Sequence, residues 1–198
     1  RSIIAKGMDA DIRSKKELQA LLKKKQRDYE TRSDSEKKFF DTDAFFNPYA
    51  DTRLLYGDPE AAVKSIAVGI DVEGPELVAL DRLREKGTKI DCAVSHHPEG
   101  SAYAQFYEVM DVQIDAFAKA GVSVSVSEQF LQERKIQVSR RVHAANHQRA
   151  VDIARLSDIN FLCMHTPCDN LACEFITGLM KKKKPTTLGQ IVSLLAEI

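Results

Sequence analysis

The stretch "SIAVGIDVEGPELVALDRLREKGTKIDCAVSHHPEG", residues 65–100, decides the fold. It opens on a short apolar run, continues into "PELVALDRLREKG" with a glycine stop, and closes on a second apolar run, "IDCAVSHH". A short apolar run, a helix pattern and another short run describe two parallel strands joined by a covering helix. The rhythm continues downstream. "AQFYEVMDVQIDAFAKAG" (104–121) reads as one helix, "VSVSVS" (122–127) as a strand by its alternation, and "RAVDIARLSD" (149–158) as a helix. "INFLCMHT" (159–166) then reads as a strand and "NLACEFITGLMKKKK" (170–184) as a helix, ended by its lysines and Pro185. The expected fold is α/β, a mostly parallel or mixed sheet with covering helices and repeated strand-loop-helix units, in which "SIAVGIDV" is a buried strand.

Upstream, "NPYADTRLLYGDPE" (47–60) carries two prolines and a glycine and reads as a loop. "SKKELQALLKKKQRDYE" (14–30) reads as an amphipathic surface helix, with Ser14 and Glu17 at capping-box spacing and Leu18, Leu21 and Leu22 as its apolar stripe. This divides the chain into a helical N-terminal extension, residues 1–40, and an α/β domain, residues 41–198.

The 198 residues, 43% hydrophobic, suffice for one substantial core or two small ones that share an interface. Lys plus Arg (29) equals Asp plus Glu (29), so no global field draws the chain to nucleic acid or an anionic membrane, and small-molecule or protein partners are expected. No apolar run approaches the roughly 20 residues of a membrane span, and "RSIIAKGMDADIRSKK" lacks the apolar block of a secretory signal. The expected compartment is the cytoplasm. Cys92, Cys163, Cys168 and Cys173 lie in or beside apparent core segments without a CxxC pair, as reduced buried thiols would. The chain begins at Arg1 and stops inside the helical pattern "LGQIVSLLAEI", which leads us to expect a fragment.

Two strand ends share a pattern. "AVSHHPEG" and "LCMHTPCD" both pass from small or apolar residues into His-x-Pro, matching His96 with His165 and Pro98 with Pro167. In open α/β sheets ligands gather beyond the carboxyl ends of the strands, where neighbouring loops of this kind converge. Adjacent histidines in a strand point to opposite faces, but a turn at Pro98 lifts that restriction for His96 and His97. Neutral imidazoles and carboxylates are good ligands for divalent metals, and Asp169 supplies a carboxylate four residues beyond His165. Each has a plainer reading: the His pair satisfied by backbone, and Asp169 as the N-cap of the helix that follows. His143 and His147 have metal-compatible i,i+4 spacing but basic neighbours and no HExxH. Arg134, Arg140, Arg141 and Arg149 suit either a phosphate-bearing ligand or a solvated face. Neither a Walker loop, nor GxGxxG, nor GxSxG is present.

Taken in order, "NPYADTRLLYGDPE", a strand ending in Asp71, "AVSHHPEG" and "LCMHTPCDN" resemble the family named after NGG-one-interacting factor three, over residues 40–198 in outline. Its bacterial members are commonly described as homologues of a type-two GTP cyclohydrolase I. The resemblance implies repeated α/β units, a dinuclear metal centre and a ring-shaped homohexamer. It places His96 and His97 as metal ligands, Asp169 as the bridging carboxylate, and His165 beside the metals as an orienting or proton-shuttling residue. Two divalent ions are implied, and such ligands accept Zn, Fe, Mn or Ni. The implied activity is a metal-dependent hydrolase acting on a nucleotide or a cyclic amide or amidine; the alternative is a non-catalytic metal-binding ring scaffold or interaction factor. The sequence departs from the family in a longer span between His97 and His165, and in having no HxxxE after Asp169, where the family supplies a further His and Glu.

Overall fold

The computed structural model describes residues 2–198. Its sheet contains β1 (Arg53–Tyr56), β2 (Ile66–Gly69), β3 (Cys92–Ser95) and β4 (Asn160–Cys163), in the spatial order β1-β4-β3-β2. β2, β3 and β4 are parallel, and β1 lies antiparallel on β4. The helices α1 (Ser2–Asp9), α2 (Lys15–Glu30) and α3 (Asp34–Lys37) precede the sheet, and α4 (Gly74–Glu85) joins β2 to β3. Between β3 and β4 come α5 (Gly100–Ala104), a 3-10 segment (Phe106–Met110), α6 (Asp111–Lys119), α7 (Val124–His143) and α8 (Arg149–Leu156). α9 (Thr166–Lys183) and α10 (Leu188–Leu195) follow β4. The α/β class with a mixed, mostly parallel sheet is thus observed.

The core lies on one face of the sheet. Ala93 and Phe161 pair across β3 and β4 and pack with Val72, Leu77, Ile159, Ala150 and Ala154. The two alanines, four apart on α8, let that helix approach the sheet closely. On the opposite face, Ile66 and Val68 are 56% and 68% exposed. The buried-strand reading of "SIAVGIDV" is therefore corrected: β2 is an edge strand, covered on one face only. Its apolar residues gave the strand correctly and the burial wrongly.

Three further expectations change. The 47–60 loop contains β1, and its first part is buried although irregular: Asn47, Tyr49, Ala50, Asp51, Thr52 and Arg53 are all inside. A buried loop must satisfy its own polar groups. Here Asn47 Nδ2 donates to the Thr52 carbonyl at 2.7 Å, and Asn47 Oδ1 accepts from the Tyr49 amide at 3.0 Å. "VSVSVS" is not a strand; from Val124 it is the first turn of α7. Its alternation is overridden by the helical stretch that follows: the buried positions are Ser127 and Leu131, four apart, while Val124 and Val126 face outward. The single helix expected over 104–121 is broken by the 3-10 segment between α5 and α6.

Ser14 and Glu17 form the expected capping box at the start of α2, and Leu18 is fully buried. α1 packs on α9, where Gly7 lies so close that a Cβ would come within 2.6 Å of Pro167 Cβ. Asn170 Nδ2 donates to the Gly7 carbonyl at 3.0 Å, and Tyr49 Oη donates to Asp11 at 2.8 Å. α9 ends in its lysines, with Lys184 left-handed before Pro185. All four cysteines are free; Cys92 and Cys163 are buried, Cys168 is half-buried, and Cys173 is exposed, correcting the expectation for that thiol. Among the described residues, no helix is long and apolar enough to cross a membrane.

Candidate metal centre

β3 and β4 are neighbours in register, Ser95 opposite Cys163, so the two His-x-Pro loops leave the sheet side by side at the carboxyl ends of parallel strands. The ladder runs a little further into the loops: the His96 and His97 amides donate to the Gly69 and Ile70 carbonyls at 2.9 and 2.8 Å, and the Met164 amide donates to Ser95 at 2.9 Å. Both histidines lie past the last residue of β3, so strand alternation does not separate them. Their ring centroids are 5.3 Å apart. Buried Pro98 carries the chain inward, and Gly100, at φ +57°, starts α5 where a Cβ would meet Val151 at 2.8 Å. That position needs glycine on both grounds.

His165 enters from the β4 loop and stacks on His96, centroids 4.7 Å apart and planes 22° from parallel. One ring nitrogen from each of His96, His97 and His165 lies within 4.8 Å of the others. In every ring, Nδ1 is taken by an oxygen. His96 Nδ1 faces the Met164 carbonyl at 3.2 Å, His97 Nδ1 the Asp71 carboxylate at 2.7 Å, and His165 Nδ1 the Asp51 carboxylate at 3.0 Å. These oxygens accept, so each Nδ1 carries a hydrogen, which in the neutral imidazole leaves Nε2 with the lone pair. Metal-binding histidines are oriented in this way by a second oxygen partner.

Asp169 lies in the first turn of α9, whose cap position is His165, so its carboxylate does not serve as the N-cap. Instead it sits between two imidazoles, Oδ1 at 3.5 Å from His96 Nε2 and Oδ2 at 3.6 Å from His165 Nδ1. The three imidazoles form the donor set, and the half-exposed Asp169 carboxylate lies beside that set rather than within it. This His cluster could bind a metal ion.

Asp51 was not singled out by sequence. Its side chain is fully inaccessible, and its Oδ2 accepts from His165 Nδ1, from the Thr166 hydroxyl at 2.6 Å and from the Thr166 amide at 3.2 Å. Burial acts to lower the His165 pKa, but the hydrogen bond and charge of Asp51, joined by Asp169, outweigh it and hold the imidazole above its ordinary value. The Glu99 carboxyl is pushed up to about 7, chiefly by burial, with the Glu73 charge adding to the effect and Arg149 opposing it. The Cys163 thiol, under the Asp51 carbonyl, is pushed up to about 11 by burial, so it is an inert packing group.

His143 and His147 take no part. α7 ends at His143, His147 Nε2 donates to the Val142 carbonyl at 2.7 Å, and the rings rest on Tyr107 and Tyr103. Of the four arginines, Arg141 and Arg149 line the cavity beside the histidines, whereas Arg134 and Arg140 do not.

No protein-family model matches the sequence, and no curated protein does. Among solved structures the chain is similar to a NIF3 superfamily protein from Sphaerobacter thermophilus, with a TM-score of 0.64 and 22% identity. The two chains share a fold. The likeness covers 92% of this chain, more than residues 41–198 amount to, so it reaches into the N-terminal helices. The chain spans 60% of the length of that NIF3 superfamily protein.

Proposed function

We propose that this NIF3-like chain is a metal-dependent hydrolase whose centre is built by His96, His97 and Asp169, with His165 handling the proton. The observation that carries this reading is the orientation of the three imidazoles, each anchored at Nδ1 and open at Nε2. Asp169 Oδ1, at 3.5 Å from His96 Nε2, supports its place beside the histidine ligands, and a bridging role between two ions is proposed for it. When bound, a divalent ion supplies Lewis-acid polarisation of a carbonyl, amidine or phosphoryl oxygen and lowers the pKa of a water.

The chain's own residues do the rest. His165 Nε2 accepts a proton from the water as it adds to the substrate, and later returns it to the leaving nitrogen or oxygen. Asp51, fixed beneath it, stabilises the imidazolium formed and holds the ring in the productive tautomer. Phe106 meets His165 edge-on, centroids 5.4 Å apart at 89°, and shields that side of the ring from water. The substrate class proposed is a nucleotide or a cyclic amide or amidine. A His165→Ala variant is expected to keep its metal while losing about 100-fold or more in turnover, the usual weight of a general base. Loss of metal together with turnover would make His165 a ligand instead.

A second reading, a metal-bearing scaffold that binds another copy or another protein, is favoured by the exposed Ile66, Val68 and Ile70 of the β2 edge. Turnover by the metal-loaded chain on a panel of nucleotides and cyclic amides excludes it as the sole role.

A further inference from the structure

A cavity of about 700 Å³ opens beside the histidine cluster, with His97 and His165 in its wall. That volume suits a small organic ligand. One side of it is aromatic. Phe106 stands against His165, and Tyr103 is backed by His147 at 5.8 Å. Arg141 and Arg149 also line it. α7 carries Arg134, Arg140 and Arg141, yet only Arg141 reaches this cavity, and among the described residues no ion pair or hydrogen bond occupies its guanidinium. Arg149 is the first residue of α8, where the helix dipole disfavours a cation. Helix stability therefore does not explain its placement. Glu73 holds it at 2.7 Å, fixing the guanidinium at the cavity edge. Three carboxylates share the lining: Glu73 is paired with Arg149, Asp71 with His97, and Glu99 has no ion-pair partner among the described residues. Arg141 is the cation of the lining without an ionic partner among the described residues.

Resting on the reading of the histidine cluster as the reaction centre, we propose that Arg141, with Arg149 in the same lining, is the anion-binding end of this cavity. The substrate is then a small organic anion, its flat body against Phe106 and Tyr103 and its phosphate or carboxylate on the guanidiniums. A guanidinium presents paired donors to either group, which a lysine cannot reproduce.

Phenyl phosphate and benzoate are the probes, titrated calorimetrically into the full chain after chelator treatment, so that a metal cannot bind the anion. Saturable binding that falls about 10-fold in Arg141→Ala, less in Arg141→Lys, and not at all in Arg140→Ala supports the proposal. Preference for phenyl phosphate identifies the anion as a phosphate, and preference for benzoate as a carboxylate. Absence of saturable binding, equal affinity in Arg141→Ala, or an equal loss in Arg140→Ala overturns it. Metal content, measured separately, keeps the two readings apart: Arg141→Ala retains whatever metal the wild type holds, and a chain that binds the probes but no metal refutes the centre and not the subsite.

Discussion

At the scale of single residues, the site depends on what holds each imidazole as much as on the imidazoles. His97 is oriented by Asp71, an exposed carboxylate, and His165 by Asp51, a buried one. Their substitutions should therefore differ. Asp71→Asn is expected to weaken metal binding about 10- to 100-fold, as loss of a ligand's outer partner does, with the urea midpoint unchanged. Asp51→Asn leaves Thr166 and His165 competing for a poorer acceptor inside the protein and should cost about 1–3 kcal/mol of stability as well as turnover. Metal titration and urea unfolding of both variants check this, and identical behaviour would contradict it. The coming together of His96, His97 and His165 was legible in sequence because two loops repeat His-x-Pro. Asp51 was not, because nothing in "NPYADT" marks which side chain will lie under a histidine more than a hundred positions away.

At the scale of elements, the two parallel strand-loop units were readable because apolar runs of four to six residues bounded by helix patterns have few other solutions. β1 was not, since its Arg-Leu-Leu-Tyr is flanked by proline and glycine and pairs antiparallel across a register shift. α7 was misread over its first turn because period-2 alternation in six residues is a weak signal beside sixteen helical residues behind it. The contact of α1 with α9 offers a sharp test. Gly7→Ala gains about 1 kcal/mol of helix propensity but places a Cβ at 2.6 Å from Pro167, and overpacking of that kind costs about 1–3 kcal/mol. A net loss in urea unfolding is expected; a gain would mean that α1 is not seated against α9.

At the scale of the whole molecule, a mixed sheet is covered fully on one face and left open on the other at its β2 edge. Val68→Lys on the open face should change stability by less than about 0.5 kcal/mol, whereas Phe161→Ala on the covered face should cost about 3–5 kcal/mol. Comparable losses in thermal unfolding would show that β2 is covered in solution. The sheet's asymmetry leaves the histidine cluster unaffected, because that cluster rises from the carboxyl ends of β3 and β4, where core and loops meet. The proposed reaction centre depends on that one convergence. The decisive measurement is the divalent metal content of the full chain, by mass spectrometry of the elements after equilibration with zinc or manganese and removal of excess, beside that of His97→Ala. Stoichiometric metal in the wild type and its loss in the folded variant is the result expected; unchanged metal in the variant, or none in the wild type, contradicts it.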